Sequence, residues 1–143
     1  MPIVPLGESR RWTNYHGTGV CEDATRFALR SGDAARGRDE IAIAAATVCE
    51  WLGEALAKGK RVRPLGAGWS PSNVNICSDA WLLHTRRFNR CFRVAADDVR
   101  PGIDASGLML IEAGTLVDEV SDKFEAQGRS LWTSGAGNGQ TFA

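Results

Sequence analysis

Hydrophobic spacing divides the chain into a small number of elements. Between Asp39 and Lys58 the residues Ile41, Ala44, Ala45, Val48, Trp51, Leu52, Ala55 and Leu56 recur at helical intervals, and Gly59 stands where a helix end favours a left-handed residue. The spacing therefore predicts one long helix whose stripe faces a core. Thr25 to Leu29 alternates polar and apolar and reads as a short strand before the turn chemistry of Ser31-Gly32-Asp33. Arg61 to Leu65 is short and extended and leads into Gly66-Ala67-Gly68-Trp69-Ser70-Pro71. Ala80 to Leu83, Cys91 to Ala95 and Leu108 to Ala113 are further strands, bounded by turn formers such as Asp97-Asp98 and Pro101-Gly102. Thr115 opens a second helix, with Asp118 three residues on in the position of a capping box, Val117, Val120 and Phe124 on one stripe, and Gly128 at its end. Before all of these, Met1 to Gly19 is polar, rich in Gly and Pro, and carries Trp12 and Tyr15; it reads as an irregular arm anchored by its aromatics.

The order strand, helix, strand, glycine loop, strands, helix combines both element types in one α+β chain, with the stretch at 1–19 as an arm. The length of 143 residues suffices for a buried core.

Charge changes the picture little overall. Seventeen Lys and Arg balance seventeen Asp and Glu, which disfavours nucleic-acid binding driven by bulk charge. Lys58, Lys60, Arg61, Arg63, Arg86, Arg87, Arg90 and Arg93 nevertheless lie in one stretch opposed only by Asp79. That stretch is a solvated rim or an attraction for an anion. Cys21, Cys49, Cys77 and Cys91 are widely spaced with no C-x-x-C, against both a zinc knuckle and a disulfide scaffold. His16 and His84, without carboxylates at ligand spacing, are expected to be structural, so no metal is expected. No segment approaches the roughly 18 consecutive apolar residues of a membrane span, and the first residues lack a signal-peptide pattern. A cytoplasmic protein with no membrane partner is the expectation.

Two glycine clusters carry the candidate chemistry. Successive backbone N–H groups can surround a phosphate only where side chains do not block its approach, which favours Gly with an adjacent hydroxyl. Gly66-Ala67-Gly68-Trp69-Ser70 meets that condition, and so does Ser134-Gly135-Ala136-Gly137-Asn138-Gly139-Gln140-Thr141. The first is neither G-x-G-x-x-G nor a P-loop, and alone it fits a tight turn as readily as a ligand loop.

Taken in order, the motifs resemble the FAD-binding region of the vanillyl-alcohol oxidase and p-cresol methylhydroxylase (PCMH-type) flavoproteins, especially the sugar-lactone and alditol oxidase/dehydrogenase branch. Arg61 to Ser72 resembles the V-R-P-x-G-x-G-x-S loop, Trp12-Thr13-Asn14-Tyr15 the W-x-N arm, and Ile111 to Thr115 the v-x-A-G strand before a helix. Gly139-Gln140-Thr141-Phe142-Ala143 resembles the start of x-Q-T-x-A-G. The resemblance implies a PCMH-type fold of α/β subdomains, with a first FAD-binding subdomain at 20–85 and the start of a second, incomplete, at 86–143, and FAD held by Leu65, Gly66, Ala67, Gly68, Trp69, Ser70, Pro71 and Ser134 to Thr141. It implies a parent enzyme that oxidises a small-molecule alcohol, polyol or sugar lactone by hydride transfer to flavin N5.

Two departures matter. Many members carry, between the second Gly and the Ser of the first loop, a histidine bonded to the flavin; Trp69 stands there, and an indole nitrogen is no comparable nucleophile. The resemblance thus implies non-covalent FAD, with Trp69 either beside the ring or filling a gap. The family's region also runs on beyond Q-T-x-A-G, so the chain reads as a fragment: first subdomain plus the start of the second, inactive alone and with catalytic residues unidentified. Strand edges left unpaired would favour self-association. The alternative is a non-catalytic remnant or interaction module of the same fold that binds no FAD. Glu112, flanked by apolar residues, is either a buried carboxylate with a raised pKa or, more simply by strand alternation, a residue on the face opposite Ile111.

Overall fold

The structure is a computed structural model that describes residues 2–7, 10–70, 72–131 and 139–142. In chain order its strands are β1 (Ile3–Pro5), β2 (Trp12–Thr13), β3 (Val20–Cys21), β4 (Thr25–Arg30), β5 (Arg61–Leu65), β6 (Ala80–Arg87), β7 (Cys91–Arg93) and β8 (Met109–Ile111). Its α-helices are α1 (Gly37–Ala57), between β4 and β5, and α2 (Val117–Glu125), after β8.

The main sheet has the order β1-β4-β6-β5. β4 and β5 both run parallel to β6, while β1 is antiparallel to β4. The stretch expected to be an irregular arm therefore supplies an outer strand of this sheet and, through β2 paired with β3, a small ribbon of its own. β7 and β8 form a second antiparallel ribbon.

β6 is central and covered on both sides, which explains why Ala80, Trp81, Leu82 and Leu83 read as a continuous apolar run instead of an alternating one. Its odd residues face α1. Trp81 and Leu83 pack there with Leu29, Trp51 and Ala55, and Phe27, Trp51 and Trp81 form an aromatic trio with centroids 4.7 to 5.5 Å apart. On the other face Ala80 and Leu82 join Cys21, Ala24, Leu65 and Cys77, with Trp12 and Ile76 against them. Beyond Leu82 on that same face come His84 and Arg86, so the apolar side of the sheet turns polar as it nears the glycine loop.

α1 departs from expectation in its stripe. Ala44, Trp51 and Ala55 are buried, whereas Ile41, Leu52 and Leu56 are 47%, 42% and 80% exposed. The sheet covers only a narrow arc, centred on Ala44, Trp51 and Ala55; Leu52 and Leu56 each follow a buried residue by one position, about 100° round the helix. The inner arc carries Glu40, wholly buried, whose carboxylate accepts the Gly32 N–H and lies 3.5 Å from Arg90 Nη1. Gly59 has φ +63° and closes the helix as expected.

α2 starts later than the sequence suggests. Leu116 is its N-cap, and Glu119, not Asp118, reaches back 2.9 Å to the Leu116 N–H. Thr115, expected to cap, is fully buried and donates its hydroxyl to Glu112 O at 2.8 Å. Glu112 itself overturns the simpler expectation for it. It lies just past β8 and is 2% exposed, its Oε2 accepting from Ser31 Oγ and the Arg90 N–H at 2.5 Å each. Burial pushes its carboxyl above the ordinary range, against the opposing pull of those two donors.

Candidate functional site

β5 delivers the chain into Gly66–Ser70 at the edge of the sheet, and the N-terminal arm holds this loop from behind. The Tyr15 N–H donates to Gly68 O at 3.0 Å, His16 Nε2 lies 2.9 Å from Trp69 O, and Asn14 Nδ2 donates to Ser70 O at 3.3 Å. Asn14 is almost fully buried and is fixed in turn by accepting the Gly19 N–H at 3.1 Å. Three successive carbonyls are thus tied to the arm. In a trans peptide the N–H points opposite to the C=O of the preceding residue, so the amides of Trp69 and Ser70 are turned away from the arm.

On that side lies a cavity of about 770 Å³ whose walls include Gly66–Ser70, Arg63, Asn75 and Thr141 and no described residue of the arm. A smaller one of about 430 Å³, bordered by Trp12, Tyr15, His84 and Arg86, opens behind the same loop. Gly68 has φ +74°, and a Cβ there would stand 3.2 Å from the Trp12 ring, so the turn needs glycine for both conformation and space.

The described end of the second glycine cluster meets the first. The Ala67 N–H donates to Thr141 Oγ1 at 3.3 Å. Thr141 bridges to Leu116, and the Val117 N–H donates to Gln140 O at 2.9 Å, which fixes this segment on the start of α2. Gly139 lies against Trp69: a Cβ on it would come within 2.9 Å of the indole. Pro71, Ser134, Gly135, Ala136, Gly137 and Asn138, also expected at the site, lie outside the described residues.

Trp69 is partly buried and borders the larger cavity, and its ring stacks on Tyr15 with centroids 4.5 Å apart and planes 8° from parallel. Ser70 Oγ is 2.8 Å from Ser72 Oγ.

The basic stretch is less exposed in charge than its sequence suggests. Lys60 pairs with Asp79 at 2.5 Å, Arg86 with Glu119 at 3.6 Å and Arg90 with Glu40, acids that sequence distance hid apart from Asp79. Arg86 also donates to Gly114 O, which joins β6 to the turn before α2. Asn75, which the sequence did not single out, Arg63 of the basic stretch and His84, expected to be structural, complete the site. Asn75 is buried in the cavity wall with Oδ1 unpartnered among the described residues, and Arg63 Nε is likewise buried with no partner among them. His84 borders the smaller cavity, and burial, aided by the charge of Arg26, holds its imidazole below the usual histidine range. No group of three or more metal-ligating side chains occurs among the described residues, and none of their helices is long and apolar enough to cross a membrane.

No family model matches the chain. It is similar in sequence to a Neurospora crassa protein described as a D-arabinono-1,4-lactone oxidase, 30% identical over 84 residues, or 59% of this chain and 14% of that one. It is also similar to L-gulonolactone oxidase of Scyliorhinus torazame, 35% identical over 79 residues covering 55% of this chain and 16% of the relative. The Bos taurus L-gulonolactone oxidase is 29% identical over 89 residues, 62% and 18%. The chain therefore spans less than a fifth of the length of these relatives. Among solved structures, cholesterol oxidase from B. sterolicum superposes with a TM-score of 0.66 over 99% of this chain and 24% of that one, at 11% identity. A solvent-stable cholesterol oxidase gives 0.60 over 99% and 23%, at 23% identity. With its sheet and both sets of likenesses in agreement, the chain has the PCMH-type fold of the cholesterol oxidases on which it superposes and is similar, over part of its length, to proteins named as sugar-lactone oxidases.

Proposed function

We propose that this chain is the FAD-binding amino-terminal portion of a flavin-dependent oxidoreductase acting on an alcohol, polyol or sugar lactone, and that it holds FAD without a covalent bond. The observation that carries the reading is the tethering of three consecutive carbonyls, of Gly68, Trp69 and Ser70, by the arm. It presents two N–H groups to the larger cavity already oriented, so that an anionic oxygen arriving there meets donors whose ordering cost was met during folding. Pairs of backbone donors of this kind suit a diphosphate.

When bound, FAD supplies the redox chemistry, accepting hydride at N5 from a substrate C–H bond and passing electrons to oxygen or another acceptor. The part played by this chain is positional. Gly66–Ser70 binds the diphosphate through N–H groups; Gln140 and Thr141 border the same cavity; Trp69, stacked on Tyr15, offers an apolar wall and no nucleophile. Acid should therefore release the flavin intact.

The rival reading, an interaction module of the same fold that binds no FAD, draws on one observation: the Ala67 N–H is already engaged by Thr141 Oγ1. Titration of the chain with FAD, followed by flavin fluorescence and thermal shift, separates the two. Wild type should bind and melt higher with FAD. Gly68→Val should lose at least about tenfold in affinity, because a branched side chain at φ +74° costs on the order of 1–2 kcal/mol in backbone strain alone and crowds Trp12. Absence of any shift with wild type would favour the interaction module.

A further inference from the structure

The wall of the larger cavity holds, besides the glycine loop, two polar groups that are unsatisfied among the described residues. Among those residues Arg63 reaches only the carbonyl of its own neighbour, Val62, at 3.2 Å. Its Nε is buried with no hydrogen-bond partner among them, and none of their carboxylates pairs with it. The contrast with its neighbours is sharp: Lys60, Arg61, Arg86, Arg90 and Arg93 are all engaged by a carboxylate, a carbonyl or an amide oxygen. Asn75 closes the short 3₁₀ turn Asn73–Asn75, is 8% exposed, and has Oδ1 buried with nothing to accept from. Both residues border the same cavity as Gly66–Ser70.

Leaving a buried donor or acceptor unpaired is costly, and a native fold that carries two in one cavity wall calls for a partner absent from the free chain. The chemistry of that partner follows from the pair. Arg63 requires an acceptor, best an anionic oxygen; the Asn75 carboxamide oxygen requires a donor. A phosphate ester with a hydroxyl close by presents both, and the amides of Trp69 and Ser70 face the same space.

We propose that Arg63 and Asn75 form a polar subsite for a hydroxyl-bearing phosphate ester, with Arg63 on the phosphate and Asn75 accepting from the sugar or ribityl hydroxyl. The proposal rests on the FAD-binding reading and deepens it by assigning binding roles to two side chains outside the glycine clusters themselves. Either half of FAD carries this chemistry, the ribose diphosphate of its adenosine side or the ribityl phosphate of its flavin side, so the test separates them.

Wild type, Arg63→Met and Asn75→Leu are titrated with FAD, ADP, FMN and inorganic pyrophosphate by calorimetry, and each ligand-free chain is melted. Arg63→Met should weaken FAD about tenfold, the scale of one charge-assisted hydrogen bond. Asn75→Leu should weaken FAD several-fold and leave pyrophosphate unchanged, while the free chain melts no lower than wild type, since the unsatisfied oxygen is gone. A loss confined to ADP assigns the adenosine half and a loss confined to FMN the flavin half; both support the subsite. Asn75→Asp guards against misfolding of the leucine variant. It keeps the size of the side chain and sets a negative charge beside the phosphate, so it should weaken FAD further than Asn75→Leu. If wild type binds FAD and all three variants match it, the subsite is wrong and the FAD reading stands. If wild type binds neither FAD nor either half, both fall together.

Discussion

Gly114 offers the most direct trial of how the second helix is docked. An ideal Cβ on this residue would lie 1.7 Å from Thr85 O, 2.5 Å from the Thr85 carbonyl carbon and 2.7 Å from Phe88 O. All three are backbone atoms, so no side chain can swing aside, and Gly114→Ala requires the turn before α2 to withdraw from the end of β6 by more than an ångström. Withdrawal strains two hydrogen bonds made by this same residue, Gly114 N–H to Phe88 O at 2.7 Å and Arg86 Nη1 to Gly114 O. Overpacking of a tight site costs about 1–3 kcal/mol and each weakened hydrogen bond about 1 kcal/mol, which together make about 3–5 kcal/mol. That is a large share of the roughly 5–15 kcal/mol that holds a typical domain folded. In urea, with a slope of about 1–3 kcal/mol/M, the unfolding midpoint followed by tryptophan fluorescence should fall by about 2 M. Gly53→Ala is the matched control: a Cβ at Gly53 meets nothing within 4 Å and the residue is inside α1, so alanine should stabilise by about 0.5–1 kcal/mol. A Gly114→Ala chain whose midpoint stays within error of wild type would refute the packing argument.

Asn14→Ala removes the acceptor of the Gly19 N–H and the donor to Ser70 O, and should destabilise by about 1–3 kcal/mol while loosening the glycine loop. Asn14→Asp keeps the acceptor but loses the donor and buries a carboxyl against the Ser70 carbonyl, so it should melt lower than wild type and, at temperatures where it is folded, bind FAD more weakly; equal binding by wild type and Asn14→Asp in the fluorescence titration would sink the tethering argument. Glu112 gives a pH signature. Its carboxyl is raised by burial, so in the window between its unfolded and folded pKa values the native chain holds more protons than the unfolded one, and stability falls as pH rises through that window. Glu112→Gln should abolish this part of the slope, and melting temperatures of both chains from about pH 4 upward, the region of ordinary carboxylates, should converge or cross in favour of the variant. A constant gap across pH would count against it.

Much of the scaffold could be read from local pattern. The helix expected over Asp39–Lys58 occupies Gly37–Ala57, β5 lies on Arg61–Leu65, and Gly59 and Gly128 take the left-handed conformations that their positions after helices called for. These features depend on neighbours in sequence. What escaped depends on partners far along the chain. Nothing in the text around Glu112 shows that Ser31 and the Arg90 amide would close over it, nor that Glu119 would outcompete Asp118 once Thr115 turned inward to Glu112 O. The glycine loop was visible because glycine and serine mark it locally. Asn75 was not, and Arg63 was visible only as one cation among eight, since being without a partner is a property of the folded surroundings alone.

The outer strands of the main sheet carry a further consequence. β1 ends in Pro5 and β5 contains Pro64 with Arg61 and Arg63 beside it. An imino nitrogen has no hydrogen to give, and each flank of the sheet therefore lacks a rung where an incoming strand would need a continuous ladder. Extension of the sheet from copy to copy, the route to fibres, is obstructed at both ends. Molecules that do adhere should meet through sticky helix faces such as the one bearing Leu56, forming detergent-soluble clusters and not filaments.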